Sequence, residues 1–459
     1  MNAFSAVLRM DFLRRNAIII GIIFKEGVSF RMLPQLVLFA LTAAAVIVCV
    51  VTNASVSFGG RKVSLYWVAA LAGALAAVAA GFVSADEIKL SFFTNTAVNP
   101  LKILILFFSM TAISVFLDEA GFYNHLASGV VEMAGTSQLK CFFILFAVVS
   151  VLTVFTSNDI IILTFTPFIL YFARRTGINP VPYIFGEFVA ANTWSMFFIF
   201  GNPTNIYIST AFGIDFFDYA YHMIPVTLAA GLASLTVLFL VFRKSLSKPI
   251  QVQPMEELQW NRPLSAIGLV FLGLSIVAMA VASYAGFEMW LAAFLFALGC
   301  MASAAVYLKK SHGDLEVLGR TMKKLPWALS PFLLSMFVLI LSLNQAGITE
   351  SLAHTLPDNP FAYGLASFAA SNVINNIPMS VLFTSILGSS HATSAMVYAV
   401  VLGSNLGALL TPVGALAGIM WLSIVKEHSI NFSFLTFMKY GEIISIPAVL
   451  MALGCLCIL

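Results

Sequence analysis

Two carboxylates lie inside apolar runs of this 459-residue chain. Asp159 interrupts FILFAVVSVLTVFTSNDIIILTFTPFIL, residues 143–170, together with Ser157 and Asn158; Glu187 sits in PYIFGEFVAAN. A carboxyl group amid hydrocarbon is a candidate cation ligand or proton carrier, because only a partner or a proton offsets its cost there. Three more polar clusters follow. One is Asn192, Thr193 and Ser195, then Gly201-Asn202-Pro203-Thr204-Asn205. The next is Ser371, Asn372, Asn375 and Asn376, closed by Pro378. The last is Ser404, Asn405, Gly407, Thr411, Pro412 and Gly414. Asn offers a donor and an acceptor, and Gly lets backbone approach a solute. Taken singly, such residues more often glue helices together. Four clusters in corresponding positions, each beside a helix breaker, point instead to a binding site for a small polar solute or ion. No metal site is expected beyond transient Na⁺: the five cysteines (Cys49, Cys141, Cys300, Cys455, Cys457) lack ligand spacing.

The elements that hold these residues must sit in lipid. Hydrophobic residues make up 60% of the chain and charged residues 9%, and mean hydropathy is +0.98, whereas a soluble domain carries about 25% charged residues. Apolar runs of helical length recur, which excludes a barrel and predicts an all-α polytopic membrane protein of about 10–11 transmembrane helices. The net charge of +3 is spread over loops and suggests no nucleic-acid partner. The first 33 residues show no cleavable signal. Simple spans are expected at 34–52, 64–84, 100–118, 220–243, 263–285, 289–308, 327–345 and 436–458. Hairpins broken at their centres are expected at 141–173 and 359–388, and broken helices at 181–212 and 393–425.

The layout repeats about a hydrophilic linker at 243–262, which divides a first repeat at 34–242 from a second at 263–459. TSNDIIILTFTP sets beside VINNIPMSVLFTS, with Asn158 over Asn375 and Asp159 over Asn376. Asn192 precedes Gly201 by nine residues, and Asn405 precedes Gly414 by nine. Such self-similarity marks repeat transporters. Basic residues favour cytoplasmic loops. This puts Arg61–Lys62, Arg174–Arg175, Arg243, Lys244, Lys248, Lys309, Lys310, Arg320, Lys323 and Lys324 inside, and Asp86–Glu87 outside. The first hairpin then enters from the cytoplasm and the second from outside, so the repeats are expected to be inverted. The basic tail at 1–33 fits this count poorly. It reads as an interfacial helix or as an extra span, with Lys25 and Glu26 favouring the former.

Non-helical backbone survives at membrane depth only where it is packed in protein or lines a wet cavity. The broken hairpins therefore predict a cavity at their tips. Helix N-termini there would suit oxyanions or polar solutes, and helix C-termini would suit Na⁺ or H⁺ carriers.

At these residues the chain resembles the arsenite/antimonite efflux permeases of the ion transporter superfamily, which also holds carboxylate transporters and sodium/proton antiporters. The resemblance runs from about residue 34 to the end. FLDEAGFYNHLA (116–127), SNDIIILTFTP, SNVINNIPMSVL and, most specifically, GSNLGALLTPVGALAGIMW (403–421) carry it. It implies a scaffold domain and a transport domain with two re-entrant hairpins, and movement of a small oxyanion or neutral metalloid hydroxide coupled to H⁺ or Na⁺. Asn158, Asp159, Asn375, Asn376, Asn405 and Thr411 carry over as site positions. A homodimer, residence in the plasma (inner) membrane and a separate ATPase subunit are further implications. The chain itself has no G-x-x-x-x-G-K-[ST] motif. Trp194 departs from the family, which has a small residue there, and GNPTN is shared with the wider superfamily.

The function expected is ion-coupled arsenite or antimonite efflux by alternating access, with no cofactor. The alternative is Na⁺-coupled carboxylate transport or Na⁺/H⁺ exchange on the same fold. No Arg or Lys lies near the breaks in sequence, which suits an uncharged trihydroxide better than a carboxylate. An intramembrane enzyme would need a second catalytic group opposite Asp159, and the amide-rich second tip offers none.

Overall fold

A computed structural model describes residues 32–52, 54–58, 61–94, 99–250, 260–428, 430 and 432–459. All but the last two residues of the 1–33 tail lie outside the described residues, as do residues 251–259 of the linker.

The first half runs α1 (Leu33–Val51), a hairpin of β1 (Ser55–Phe58) and β2 (Arg61–Ser64), α2 (Tyr66–Ala79), α3 (Ala85–Phe93), α4 (Pro100–Glu119) and α5 (Phe122–Ala134). It continues with α6 (Gln138–Phe155), α7 (Asn158–Thr176), α8 (Val181–Trp194), a 3₁₀ turn (Ile199–Gly201), α9 (Pro203–Ala211) and α10 (Phe216–Leu246). The second half runs α11 (Arg262–Ala285), α12 (Met289–Lys310), α13 (Glu316–Lys324), α14 (Leu329–Gln345) and α15 (Ile348–Thr355). It ends with α16 (Pro360–Ile374), α17 (Asn376–Gly388), α18 (Ser394–Gly407), a 3₁₀ turn (Pro412–Gly414), α19 (Leu416–Glu427) and α20 (Phe434–Leu456). Apart from the antiparallel β hairpin, in which Val56 faces Val63, the second half repeats the first element by element. The chain is an integral membrane protein: eight helices among the described residues are long and apolar enough to cross a bilayer.

One expected span is shorter than its hydropathy implied. Residues 64–84 give only the helix Tyr66–Ala79. Gly81 turns the chain at φ +73°. Ser84 then restarts it as α3 through a capping box, its backbone N–H 2.8 Å from Glu87 Oε2 and its Oγ accepting the Glu87 N–H at 3.2 Å. These bonds, that from the Ser84 backbone foremost, hold the Glu87 carboxyl below the usual carboxylate range.

The two halves interleave. Helix α4 packs on α11 and α12, while α14 packs on α2 and α1. Likewise α9 packs on α17, and α19 on α7. The helices α1, α2, α4, α11, α12 and α14 thus pack chiefly on one another, and the helices from α6 to α10 and from α16 to α20 form a second group.

A repeated tetrad anchors the interleaving. Asp118-Glu119-Ala120-Gly121 ends α4, and Asn344-Gln345-Ala346-Gly347 ends α14; both glycines turn left-handed, at φ +81° and +75°. Glu119, nearly buried, pairs with Arg320 at 2.7 Å and Lys324 at 2.5 Å, both on α13. Gln345 lies within reach of the Glu87 carboxyl on α3, and Phe92 of α3 meets Phe337 of α14 edge-on at 5.6 Å. Asp118 accepts the Thr164 hydroxyl of α7 at 3.0 Å, and the Asn344 amide donates to Ser385 Oγ of α17 at 3.0 Å. The end of α4 therefore lies beside the start of α14, and the end of α14 beside the helix preceding α4.

Close backbone approach fixes the second hairpin. A Cβ on Gly403 would fall 2.0 Å from Ser367 Oγ, and one on Gly407 would fall 2.8 Å from Ser371 Cβ and 3.0 Å from the Phe368 carbonyl. This small-residue seam seats α16 against α18. Gly407→Val is expected to destabilise the protein by about 3 kcal/mol. The measurement is the yield of monodisperse detergent-solubilised protein by size exclusion; a wild-type profile and melting temperature would refute the seam.

Candidate functional site

Both predicted hairpin breaks exist. Helix α6 ends at Phe155, and the chain passes Thr156 and Ser157 before α7 starts at Asn158. Helix α16 ends at Ile374, Asn375 turns at φ 72° and ψ 153°, and α17 starts at Asn376. That backbone region is nearly exclusive to Gly and costs of order 1–3 kcal/mol. Asn375 is held there by its own side chain, whose Nδ2 donates to the Val413 carbonyl at 2.9 Å and whose Oδ1 accepts the Ile377 N–H at 3.3 Å. The helix starts also shift the register expected from sequence by one residue. Ser157 caps the first break where Asn375 caps the second, so Asn158 corresponds to Asn376.

Both broken helices have the same construction. Asn192 and Asn405 stand two residues before the ends of α8 and α18. Each donates its amide to the carbonyl four residues back, Asn192 to Phe188 at 2.9 Å and Asn405 to Val401 at 2.8 Å. The chain then folds back through a 3₁₀ turn that closes on a glycine. A Cβ on Gly201 would fall 2.2 Å from the Ser195 carbonyl, and one on Gly414 would fall 2.7 Å from the Gly407 carbonyl and 3.0 Å from Asn372 Oδ1.

The two broken helices meet at Asn405. Its Oδ1 accepts Ser195 Oγ at 2.9 Å and Asn202 Nδ2 at 3.2 Å, and its Nδ2 also reaches Asn205 Oδ1 at 2.7 Å. Asn202 Oδ1 in turn caps α9, accepting the Thr204 N–H at 3.1 Å and Oγ1 at 3.0 Å. Thr411 Oγ1 donates to Asn372 Oδ1 at 2.7 Å, which ties the second 3₁₀ turn to α16. Ser371 bonds back to the Ser367 carbonyl, and Ser404 Oγ lies 3.5 Å from Ser380 Oγ. These residues are buried, and their hydrogen bonds are made within the protein.

A smaller set keeps unused capacity. Ser157 Oγ, Asn158 Oδ1, Thr193 Oγ1 and Asn376 Oδ1 are buried without a partner, which in a native core calls for an explanation such as a ligand. The polarity at Asn158 is fixed by the backbone. Because Asn192 gives its NH₂ to the Phe188 carbonyl, its Oδ1 faces Asn158, whose NH₂ must donate across 3.1 Å. Asn158 Oδ1 is therefore left over as an acceptor. Ser157 makes no side-chain cap on α7, and Ala415, at the N-cap of α19, makes none either, so both helix starts keep backbone donors.

Asp159 is buried in the first turn of α7, beside these atoms, where the helix dipole suits a carboxylate. Glu187 is buried too, but takes the Thr166 hydroxyl at 2.9 and 3.1 Å. Thr166 lies eight residues past Asn158, roughly 12 Å along α7, so Glu187 is set apart from the tips. Trp194 does not fill the site: it packs over Gly231 of α10, where a Cβ would fall 2.9 Å from its ring. Sequence reading left two participants without a role, Thr166 on Glu187 and Thr164 on Asp118; Asn205, expected as part of a site wall, is an acceptor for the Asn405 amide.

The CitMHS citrate transporter family matches residues 47–397. The chain belongs to this family. It is 27% identical over 427 residues to an arsenical pump membrane protein of Escherichia coli (strain K12), covering 89% of this chain and 96% of that one. It is 28% identical over 423 residues to an arsenical pump membrane protein of Yersinia enterocolitica, covering 86% and 94%. Two solved transporters share the fold. MtrF of Neisseria gonorrhoeae gives a TM-score of 0.51 at 12% identity over 94% of this chain and 95% of that one. YdaH of Alcanivorax borkumensis gives 0.52 at 14% identity over 94% and 98%.

Hub and free atoms should separate on mutation. Asn405→Ala strips partners from Ser195, Asn202 and Asn205, and is expected to cost about 2–3 kcal/mol; Asn376→Ala removes an oxygen with no partner and should leave the melting temperature close to wild type. Thermal unfolding of the purified variants measures both, and equal losses would refute the division.

Proposed function

We propose that this protein is a secondary transporter that exports arsenite or antimonite, coupled to an ion gradient, by alternating access. The carrying observation is the set of unpartnered acceptor and hydroxyl atoms at the tips, Asn158 Oδ1, Asn376 Oδ1 and Ser157 Oγ, with Thr193 Oγ1 on the first broken helix. The two amide oxygens accept only and call for a solute that donates hydrogen bonds, while the hydroxyls serve either role. An uncharged trihydroxide presents three O–H donors, whereas an ionised carboxylate presents acceptors only. The described partners of the tip residues are amides, hydroxyls and backbone groups, which leaves Asp159 as the one ionisable side chain at the tips and suits a solute without fixed charge. Proteins named arsenical pump membrane proteins, aligned over most of this chain, support the same solute. The family's citrate name supports the second reading, Na⁺-coupled carboxylate transport on the same fold, with Na⁺ held by the same oxygens.

In this reading the first packing group is the scaffold and the second is the moving domain. The two sequence repeats are inverted in the membrane, and α6–α7 and α16–α17 are re-entrant hairpins. The end-to-end placement of α4 and α14, argued from Glu119–Arg320 and Gln345–Glu87, supports the inversion. Asp159 is the coupling carboxylate: H⁺ or Na⁺ binds it as solute is released. Binding, release and reorientation complete the cycle with no catalytic step.

Cells lacking arsenite efflux and expressing this chain are expected to accumulate several-fold less arsenite than vector controls, and Asp159→Asn is expected to abolish the difference. Unchanged accumulation, with the protein shown to be in the membrane, would sink the arsenite reading and leave sodium and carboxylate flux to be measured.

A further inference from the structure

We propose that Tyr66, at the start of α2, is a solute-contacting residue. It would face the second hairpin tip across a cavity whose continuation leads to the surface beside Lys426. The cavity is lined by Tyr66, Val50, Phe332, Asn375, Val413 and Ile419. It joins the scaffold helices α1, α2 and α14 to the broken elements of the moving group. A second cavity shares Val50, Val413 and Ile419 with the first and extends along α19 to Ser423 and Lys426. Lys426 is exposed. Because they share these three residues, we read the two as one route from the surface to Asn375.

Tyr66 stands at the inner end of that route. Its ring meets Phe332 edge-on, with centroids 5.4 Å apart and planes at 78°, so the aromatic body is braced against α14. The residue is only partly buried. Tyr66 is thus a scaffold residue that lines the cavity of the second tip. Its phenol brings an O–H donor to the tip where Asn376, next to Asn375, keeps an unpartnered acceptor oxygen. A small polyhydroxide has oxygens for the phenol and O–H groups for the amides. The solute's identity rests on the metalloid-hydroxide reading; the place of Tyr66 on the route does not.

Two measurements test this. In energised everted vesicles, Tyr66→Phe keeps the ring on Phe332 and loses the hydroxyl. Its KM for arsenite is expected to rise about tenfold, the effect of one lost hydrogen bond, with Vmax little changed. A wild-type KM overturns the contact. The second measurement needs no solute. In a background with all five native cysteines replaced, Tyr66→Cys and Ser423→Cys are exposed to a membrane-impermeant maleimide on each face, beside the exposed control Ser247→Cys. Both are expected to react from the same face. A Tyr66→Cys protein that stays unlabelled from both faces while the control reacts overturns the route. If wild type moves no arsenite, the solute reading fails and the labelling still decides for or against Tyr66.

Discussion

The fold turns on the need to satisfy backbone and amide groups where helices break inside a membrane. Each unpaired group there costs several kcal/mol, so a break persists only if side chains replace the lost helical partners. Asn192 and Asn405 brace the last turns before the breaks in the same way, their amides sharing the carbonyls of Phe188 and Val401 with the helical bonds there. Having done so, each presents an oxygen of fixed polarity. Asn405 spends that oxygen on Ser195 and Asn202, which joins the two broken helices. Asn192 spends it on Asn158, which joins the first broken helix to the first hairpin. The tips, the 3₁₀ turns and the α9 cap are consequences of these two anchors. Because the network is buried and cooperative, its members specify one arrangement rather than several.

The interleaving of the halves gives that network its frame. Each α4-type helix packs on the other half's first two helices. The tetrads at their ends then reach in two directions, to a short helix of the opposite half and to the second arm of their own half's hairpin. The two copies differ in chemistry. One is ionic, with Asp118 and Glu119 against Arg320 and Lys324; the other is built from Asn344, Gln345, Ser385 and Glu87. A site framed by equivalent but unequal contacts meets its two faces with different interaction strengths, and the ionic copy is the one open to salt screening.

Much of this was legible in the sequence because the membrane simplifies the code. Helix is the default wherever lipid is the solvent, so polar and Gly/Pro interruptions stand out, and Ser157–Asn158–Asp159 and Asn375–Asn376–Ile377–Pro378 mark helix starts that the structure has. The nine-residue spacing from Asn192 to Gly201 and from Asn405 to Gly414 reports a real repeated turn. What sequence alone left unread depends on three dimensions. The one-residue register shift between the tips follows from the Asn375 conformation, which no local pattern announces for a non-glycine residue. The short α2 follows from a capping box hidden in a run of high hydropathy. Which amides are consumed and which remain open follows from partners up to 210 residues away, as for Ser195 and Asn405.

That last distinction bears on selectivity. Counting amides near the breaks gives a generically polar site, equally suited to an anion, a cation or a neutral solute. Following each proton instead gives a directed one. Backbone carbonyls fix Asn192, Asn192 fixes Asn158, and the Asn158 atom left over is an acceptor. Inverting that oxygen would break the Asn158–Asn192 bond and place two donors or two acceptors face to face, so the polarity resists adaptation to a different solute. A site of this kind discriminates most strongly against a ligand that leaves its oriented groups unpaired. An ionised carboxylate would set acceptor against acceptor at Asn158. To accept one, the same scaffold would need a bound cation between the two. Under the proposed reading, the division between solute classes follows from the direction of a few amides rather than from the architecture that holds them.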